Sequence, residues 1–100
     1  MIMKRALLNE AEISAALSRL PGWEMQGKEI CKTQVFKSYL EGIRFVDRLA
    51  EAAEAMNHHP DLFVGWRKVT VRLSTHSAGG VTALDFALAE EAERLAGLPG

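Results

Sequence analysis

Glu54-Ala55-Met56-Asn57-His58-His59-Pro60 is the point where one structural period of the chain gives way to another. Upstream of it apolar residues recur at helical spacing; downstream they alternate as in a strand. Pro60 has no N–H with which to continue a helix, and it biases His59 towards an extended backbone. Two imidazoles therefore stand side by side at a helix-to-strand junction. Imidazole is the side chain whose ordinary pKa, about 6.5, lies nearest neutrality, so paired histidines are a ready acid–base device. A third, His76, lies beyond the next two strand-like runs.

Upstream of the junction, Ser38 and Glu41 have the spacing of a capping box and open a helix that reaches about Asn57. Two apolar lines run along it: Ile43, Val46, Ala50 and Ala53, then Phe45, Leu49, Ala52 and Met56. That arc is wider than one sheet face requires. Either the other two helices cover the excess or a second subunit does. Farther back, Asn9 and Glu12 form another capping-box pair, and Leu8 can staple onto Ile13. Ile13, Ala16, Leu17 and Leu20 make the stripe of a helix over about Asn9–Leu20, which Pro21-Gly22 ends. Trp23–Met25 and Glu29–Lys37 read as a hairpin around Gln26-Gly27-Lys28.

Downstream, Asp61–Trp66 and Lys68–Thr75 read as two strands. Val69, Val71 and Leu73 point one way, and Lys68, Thr70, Arg72 and Ser74 the other; if the strand continues, His76 is in phase with the polar face. Ser77-Ala78-Gly79-Gly80 is a loop. Thr82 and Asp85 form a third capping-box pair, with Asp in place of the usual Glu or Gln. Leu84, Leu88, Ala92 and Leu95 stripe the last helix, and Phe86 falls off that stripe. The order α-β-β-α-β-β-α predicts an α+β fold. A four-stranded antiparallel sheet carries three helices on one face, as one domain over residues 1–100, because sheet and helices must bury their apolar faces against each other.

Composition narrows the function classes. A net charge of −1 gives no global field for nucleic acid or anionic membrane. No apolar run approaches the ~20 residues of a membrane span, and Met1–Glu10 lacks the core of a secretory signal. Cys31 is the only cysteine, so a cytoplasmic setting is the plain expectation.

Three histidines raise the question of metal, but there is no His-x-x-x-His, no cysteine pair and no zinc motif, so no metal site is expected. Singly, each residue has a simple structural role. His58 can cap a helix dipole, His59 can be a surface residue of the turn, and His76 a solvated strand end. Asp85 can be only the acidic third residue of a helix, and Trp23 and Trp66 are expected in the core. Their clustering at element ends, where catalytic groups are usually presented, is left unexplained by those roles.

The run Glu54-x3-His58-His59-Pro60-x5-Trp66-x9-His76-x8-Asp85 resembles the signature of the pterin-4a-carbinolamine dehydratases. Thr75-His76-Ser77-Ala78-Gly79-Gly80 with Thr82-x-x-Asp85 resembles that family's second active-site segment, and Trp23 after Pro-Gly its early tryptophan. The resemblance implies an enzyme that dehydrates a 4a-hydroxytetrahydropterin, formed when aromatic amino-acid hydroxylases use tetrahydropterin, to quinonoid dihydropterin and water. It implies pterin contacts from Asn57, His58, His59 and Ser74, Thr75, His76, Ser77. His58 and His76 are the implied general acids, and His59 chiefly holds substrate. Glu54 and Asp85 are supporting residues, Asp85 as orienting group or as cap. No cofactor is implied, and a homodimer or homotetramer is. A binding or dimerisation module that modulates a partner protein without catalysis is the alternative, and a scaffold with incidental histidines a third reading. None of the three histidines lies on an apolar stripe, so alanine at each is expected to leave the fold intact.

Overall fold

The computed structural model describes residues 6–99; the first five residues, part of the stretch searched for a secretory signal, lie outside it. The elements are α1 (Glu10–Leu17), β1 (Glu24–Gln26), β2 (Glu29–Val35), α2 (Tyr39–Met56), β3 (Asp61–Val64), β4 (Lys68–Leu73) and α3 (Ala83–Ala96), with a 3-10 turn at His76–Ala78. The four strands form one antiparallel sheet in the order β1-β2-β4-β3. The expected α+β order holds. Among the described residues no helix is long and apolar enough to cross a membrane.

Local chemistry explains the boundaries. Asn9 and Glu12 cap α1 reciprocally, at 2.8 and 2.9 Å. The α-helix stops at Leu17, before the expected Leu20, because the Arg19 and Leu20 N–H groups bond only three residues back, to Ala16 O and Leu17 O, tightening the last turn ahead of Pro21. Gly27, in the two-residue β1–β2 turn, has φ +61°, which glycine enters without strain. Ser38 Oγ accepts from the Glu41 N–H at 3.2 Å, so only this half of the expected capping box caps α2.

The core lies between the sheet and the helices. Val69, Val71 and Leu73 on β4 and Ile30 on β2 meet Phe45, Leu49 and Ala53 of α2. The alternation in β4 is as expected, but the strand ends at Leu73, not Thr75. The chain then closes on itself: the Thr75 N–H donates to Gly80 O at 2.8 Å, and Thr75 O accepts from the Ala78 and Gly79 N–H groups. His76 therefore belongs to a tight loop rather than to the polar face of a strand.

The aromatic residues divide between core and surface. Phe86 is 6% exposed and part of the core. It lies off the stripe yet joins the core cluster, against which Leu8 and Ala16 also pack. Trp23 is buried as expected, its indole N–H donating to Glu93 Oε1 at 2.8 Å. Lys32 reaches the same oxygen. Its stem passes so close to Gly22, at φ +89°, that a Cβ there would lie 2.9 Å from Lys32 Cε. Trp66, in contrast, is 73% exposed, with the Arg67 guanidinium 5.1 Å from its ring centroid. It occupies the β3–β4 turn, where no layer covers it.

Cys31 is buried, and burial pushes its thiol up from the ordinary range, with Arg72 opposing. The thiolate is the reactive form. Native protein is expected to react slowly with an aromatic disulfide reagent at pH 8, with full reaction once denatured. Rapid labelling of native protein would contradict this placement.

Candidate active site

α2 ends in a geometry that sets the positions of its histidines. Asn57 is left-handed, at φ 50° and ψ 43°. Its N–H reaches Glu54 O at 3.1 Å, and the His58 N–H reaches Ala53 O at 3.0 Å. This is a Schellman closure, and asparagine is among the few non-glycine residues that take its left-handed position readily. Asn57→Gly is therefore expected to keep the fold, whereas Asn57→Ala should cost roughly 1 kcal/mol. Thermal melts separate the two. Because Asn57→Gly removes the side chain without disturbing the turn, titrating it with pterin isolates any contact the carboxamide makes.

The closure sends the two imidazoles in different directions. His58 is 6% exposed and turns inward, its Nε2 lying 2.6 Å from Asp85 Oδ1. His59 turns outward, with Nε2 3.1 Å from Glu54 Oε2, both side chains being more than half exposed. An ion pair so open to water is worth little.

Asp85 is fully buried in the first turn of α3. Oδ2 accepts from the Thr82 N–H at 2.9 Å and from the Thr75 hydroxyl at 2.8 Å. Oδ1 remains for His58. The carboxylate thus caps α3 with one oxygen and holds the imidazole with the other, so the capping and orienting roles coexist. A carboxylate that accepts at both oxygens requires His58 to donate from Nε2, so in the neutral ring Nδ1 is the acceptor. Nδ1 has no partner among the described residues, where no sealed side-chain nitrogen or oxygen goes unpaired, so Nδ1 opens to solvent.

His58 lines a cleft of about 230 Å³ together with Asn57, His59, Ser74, Thr75, His76 and Ser77. These residues come from the end of α2 and from the segment after β4. Antiparallel pairing of β3 with β4, Asp61 against Arg72, brings both segments to one end of the sheet. His76 is exposed, and Ser74 and His76 also border a second recess of about 470 Å³ with Lys28, Glu29, Gly79 and Gly80. Trp66 is not part of the cleft, since β3 runs away from it and Val64 pairs with Val69 at the far end. Among the described residues no three His, Cys, Asp or Glu side chains converge as metal ligands. Lys28, Glu29 and the Thr82 hydroxyl were not singled out for the site from sequence. Thr82 alone of these carries a sequence signal, in its capping spacing to Asp85 and in the segment Thr82-x-x-Asp85 of the resemblance.

Residues 6–95 match the family model described as pterin 4 alpha carbinolamine dehydratase. The chain belongs to this family. A protein of Mycobacteroides abscessus, provisionally named a pterin-4-alpha-carbinolamine dehydratase, is 51% identical over 85 residues, covering 85% of this chain and 90% of the relative. One from Roseiflexus castenholzii with the same provisional name is also 51% identical, over 90% of this chain and 97% of its own. The crystal structure of a Brucella melitensis transcriptional coactivator/pterin dehydratase superposes with a TM-score of 0.87 at 36% identity, covering 90% of this chain and 98% of that one. A pterin dehydratase-like protein identified as a RuBisCO assembly factor of the alpha-carboxysome superposes at 0.66 with 30% identity, over 78% and 93% of the two chains. Carbinolamine dehydratase names thus accompany the sequence relatives, and pterin dehydratase names the solved structures.

Proposed function

We propose that this chain dehydrates a 4a-hydroxytetrahydropterin to quinonoid dihydropterin and water. The observation that carries the reading is the buried Asp85–His58 pair, in which His58 lines the same cleft as His59 and His76. Loss of water from a carbinolamine needs a proton delivered to the departing 4a-hydroxyl and one removed from ring nitrogen N5. In this reading His58 and His76 serve those transfers from two sides of the pterin. His59, steadied by Glu54, holds substrate, and Asn57, Ser74, Thr75 and Ser77 complete the wall. No electron pair leaves the pterin as hydride, and no cofactor takes part. The setting is cytoplasmic, beside an aromatic amino-acid hydroxylase. Stopped-flow dehydration of enzymatically generated 4a-hydroxypterin tests it. Acceleration over the spontaneous reaction is expected, and none would refute it.

The names of the Brucella and carboxysome proteins favour a second reading, a binding module that modulates a partner protein. Turnover by purified protein separates the two. Either reading is compatible with self-association as a homodimer or homotetramer. Phe86 lends that no support, being core. Phe63 and Val64 on edge strand β3, with Trp66, are exposed apolar residues that would gain from cover. Light scattering at tens of micromolar, far above a ~μM Kd, is expected to give at least a dimer; a monomer there would count against it.

A further inference from the structure

We propose that Thr75 is a positioning residue. In this role its hydroxyl, fed by that of Thr82, fixes the Asp85 carboxylate and so holds His58 with Nε2 protonated and Nδ1 presented to the cleft. The inference rests on the acid–base reading of His58 given above.

The hydrogen-bond directions leave one arrangement. Thr82 Oγ1 accepts from the Leu84 N–H at 3.2 Å. Thr75 Oγ1 lies 2.8 Å from Thr82 Oγ1 and 2.8 Å from Asp85 Oδ2. A hydroxyl has one proton. If Thr75 gave its proton to Thr82, two bare acceptors would face each other at Asp85. Thr75 therefore donates to Asp85 and accepts from Thr82. The chain runs one way, from the Thr82 hydroxyl through that of Thr75 to the carboxylate, and the His58 Nε2–H donates to its other oxygen. Thr75, Thr82 and Asp85 are 1%, 0% and 0% exposed, so water does not substitute for a missing member.

A cap for α3 does not require this. The Thr82 N–H and Asp85 Oδ2 already supply the cap. Thr75 comes from outside the helix, and its neighbour is His76. One carboxylate thus holds the His58 ring directly and, through Thr75, the first residue of the loop that carries His76. The relay sets the rotation of one imidazole and the approach of the other. Although Thr75 borders the cleft, its hydroxyl is committed inward.

The test compares Thr75→Val, which removes the hydroxyl at nearly constant shape, with Thr75→Ser, which keeps it. Nitrogen-15 NMR of imidazole-labelled protein reads the His58 tautomer without substrate. Wild type and Thr75→Ser are expected to show the Nε2–H form, with a hydrogen-bonded ring proton far downfield. Thr75→Val is expected to show mixed tautomers and a broadened or lost proton signal. Its kcat should fall about 10-fold or more with KM little changed, the scale seen for outer partners of a functional imidazole. A purely structural role would lower the melting temperature and leave the tautomer alone. A folded Thr75→Val with wild-type tautomer and kcat overturns the proposal. If Thr75→Val does not fold, wild type decides. The Thr75 hydroxyl proton is expected to exchange slowly enough to be seen by NMR, and a rapidly exchanging one overturns the proposal. If wild type lacks turnover, the dehydratase reading fails, and the tautomer comparison still decides the relay.

Discussion

Alanine at His58 is expected to lower dehydration by about 10²–10⁴-fold, the usual worth of a positioned acid or base. The same change should destabilise the protein by roughly 3 kcal/mol, because it leaves the Asp85 carboxylate fully buried with one oxygen unpaired. Alanine at His76 should separate the two effects. That side chain is exposed and makes no hydrogen bond to the described residues, so its loss should move stability by no more than ~0.5 kcal/mol while still lowering kcat. His59→Ala, also at an exposed position, should act mainly through KM. The sequence alone predicts that all three variants stay folded. Burial of His58 adds an expected stability cost for one of them. Single-turnover dehydration of each 4a epimer, with denaturant unfolding of the same proteins, is the measurement. Unequal losses for the two epimers at His58 and His76 are expected if the histidines serve opposite sides of the pterin. Near-wild-type rates for both epimers in both variants would refute the mechanism and favour a binding role.

Asp85→Asn is expected to have the other large effect. As an exposed acidic residue in a helix's first turn, Asp85 would be worth about 0.3–1 kcal/mol. Its burial changes the scale. An asparagine has one acceptor and one donor end. If the carbonyl faces Thr75 and the Thr82 N–H, the amide meets His58 Nε2 and forces the other tautomer, with Nδ1 protonated. If the carbonyl faces His58, the amide meets the Thr82 N–H and a buried donor is orphaned. The first orientation keeps its contacts only with the wrong tautomer and the second leaves a buried donor unpaired, so a loss of about 1–3 kcal/mol is expected. Activity should fall by about 10–100-fold with the wrong tautomer presented to the cleft. A double-mutant cycle with His58→Ala makes the claim sharper: the two losses should be strongly non-additive. Additive losses would mean that the 2.6 Å contact has little functional meaning.

Much of this protein is legible along the chain. The junction at Asn57–Pro60, the apolar stripe of α2 and the alternation of β4 define elements from contacts only a few residues apart, and local sterics and capping decide those. The clustering of Asn57–His59 with Ser74–Ser77 followed from the resemblance, and the antiparallel β3–β4 register supplies its physical cause. Tertiary structure alone decided the rest. Nothing in the spacing says that His58 turns inward while His59 turns out, because a left-handed Asn57 sends successive residues in divergent directions. Nothing local says that Phe86 is buried while Trp66 is left bare, since both outcomes depend on which faces meet across the fold. Asp85 is the clearest case. Its capping role is written in the three-residue spacing from Thr82, a contact within one turn. Its hold on His58 spans 27 residues and exists only because α2 and α3 pack side by side over the sheet, closing water out from between them.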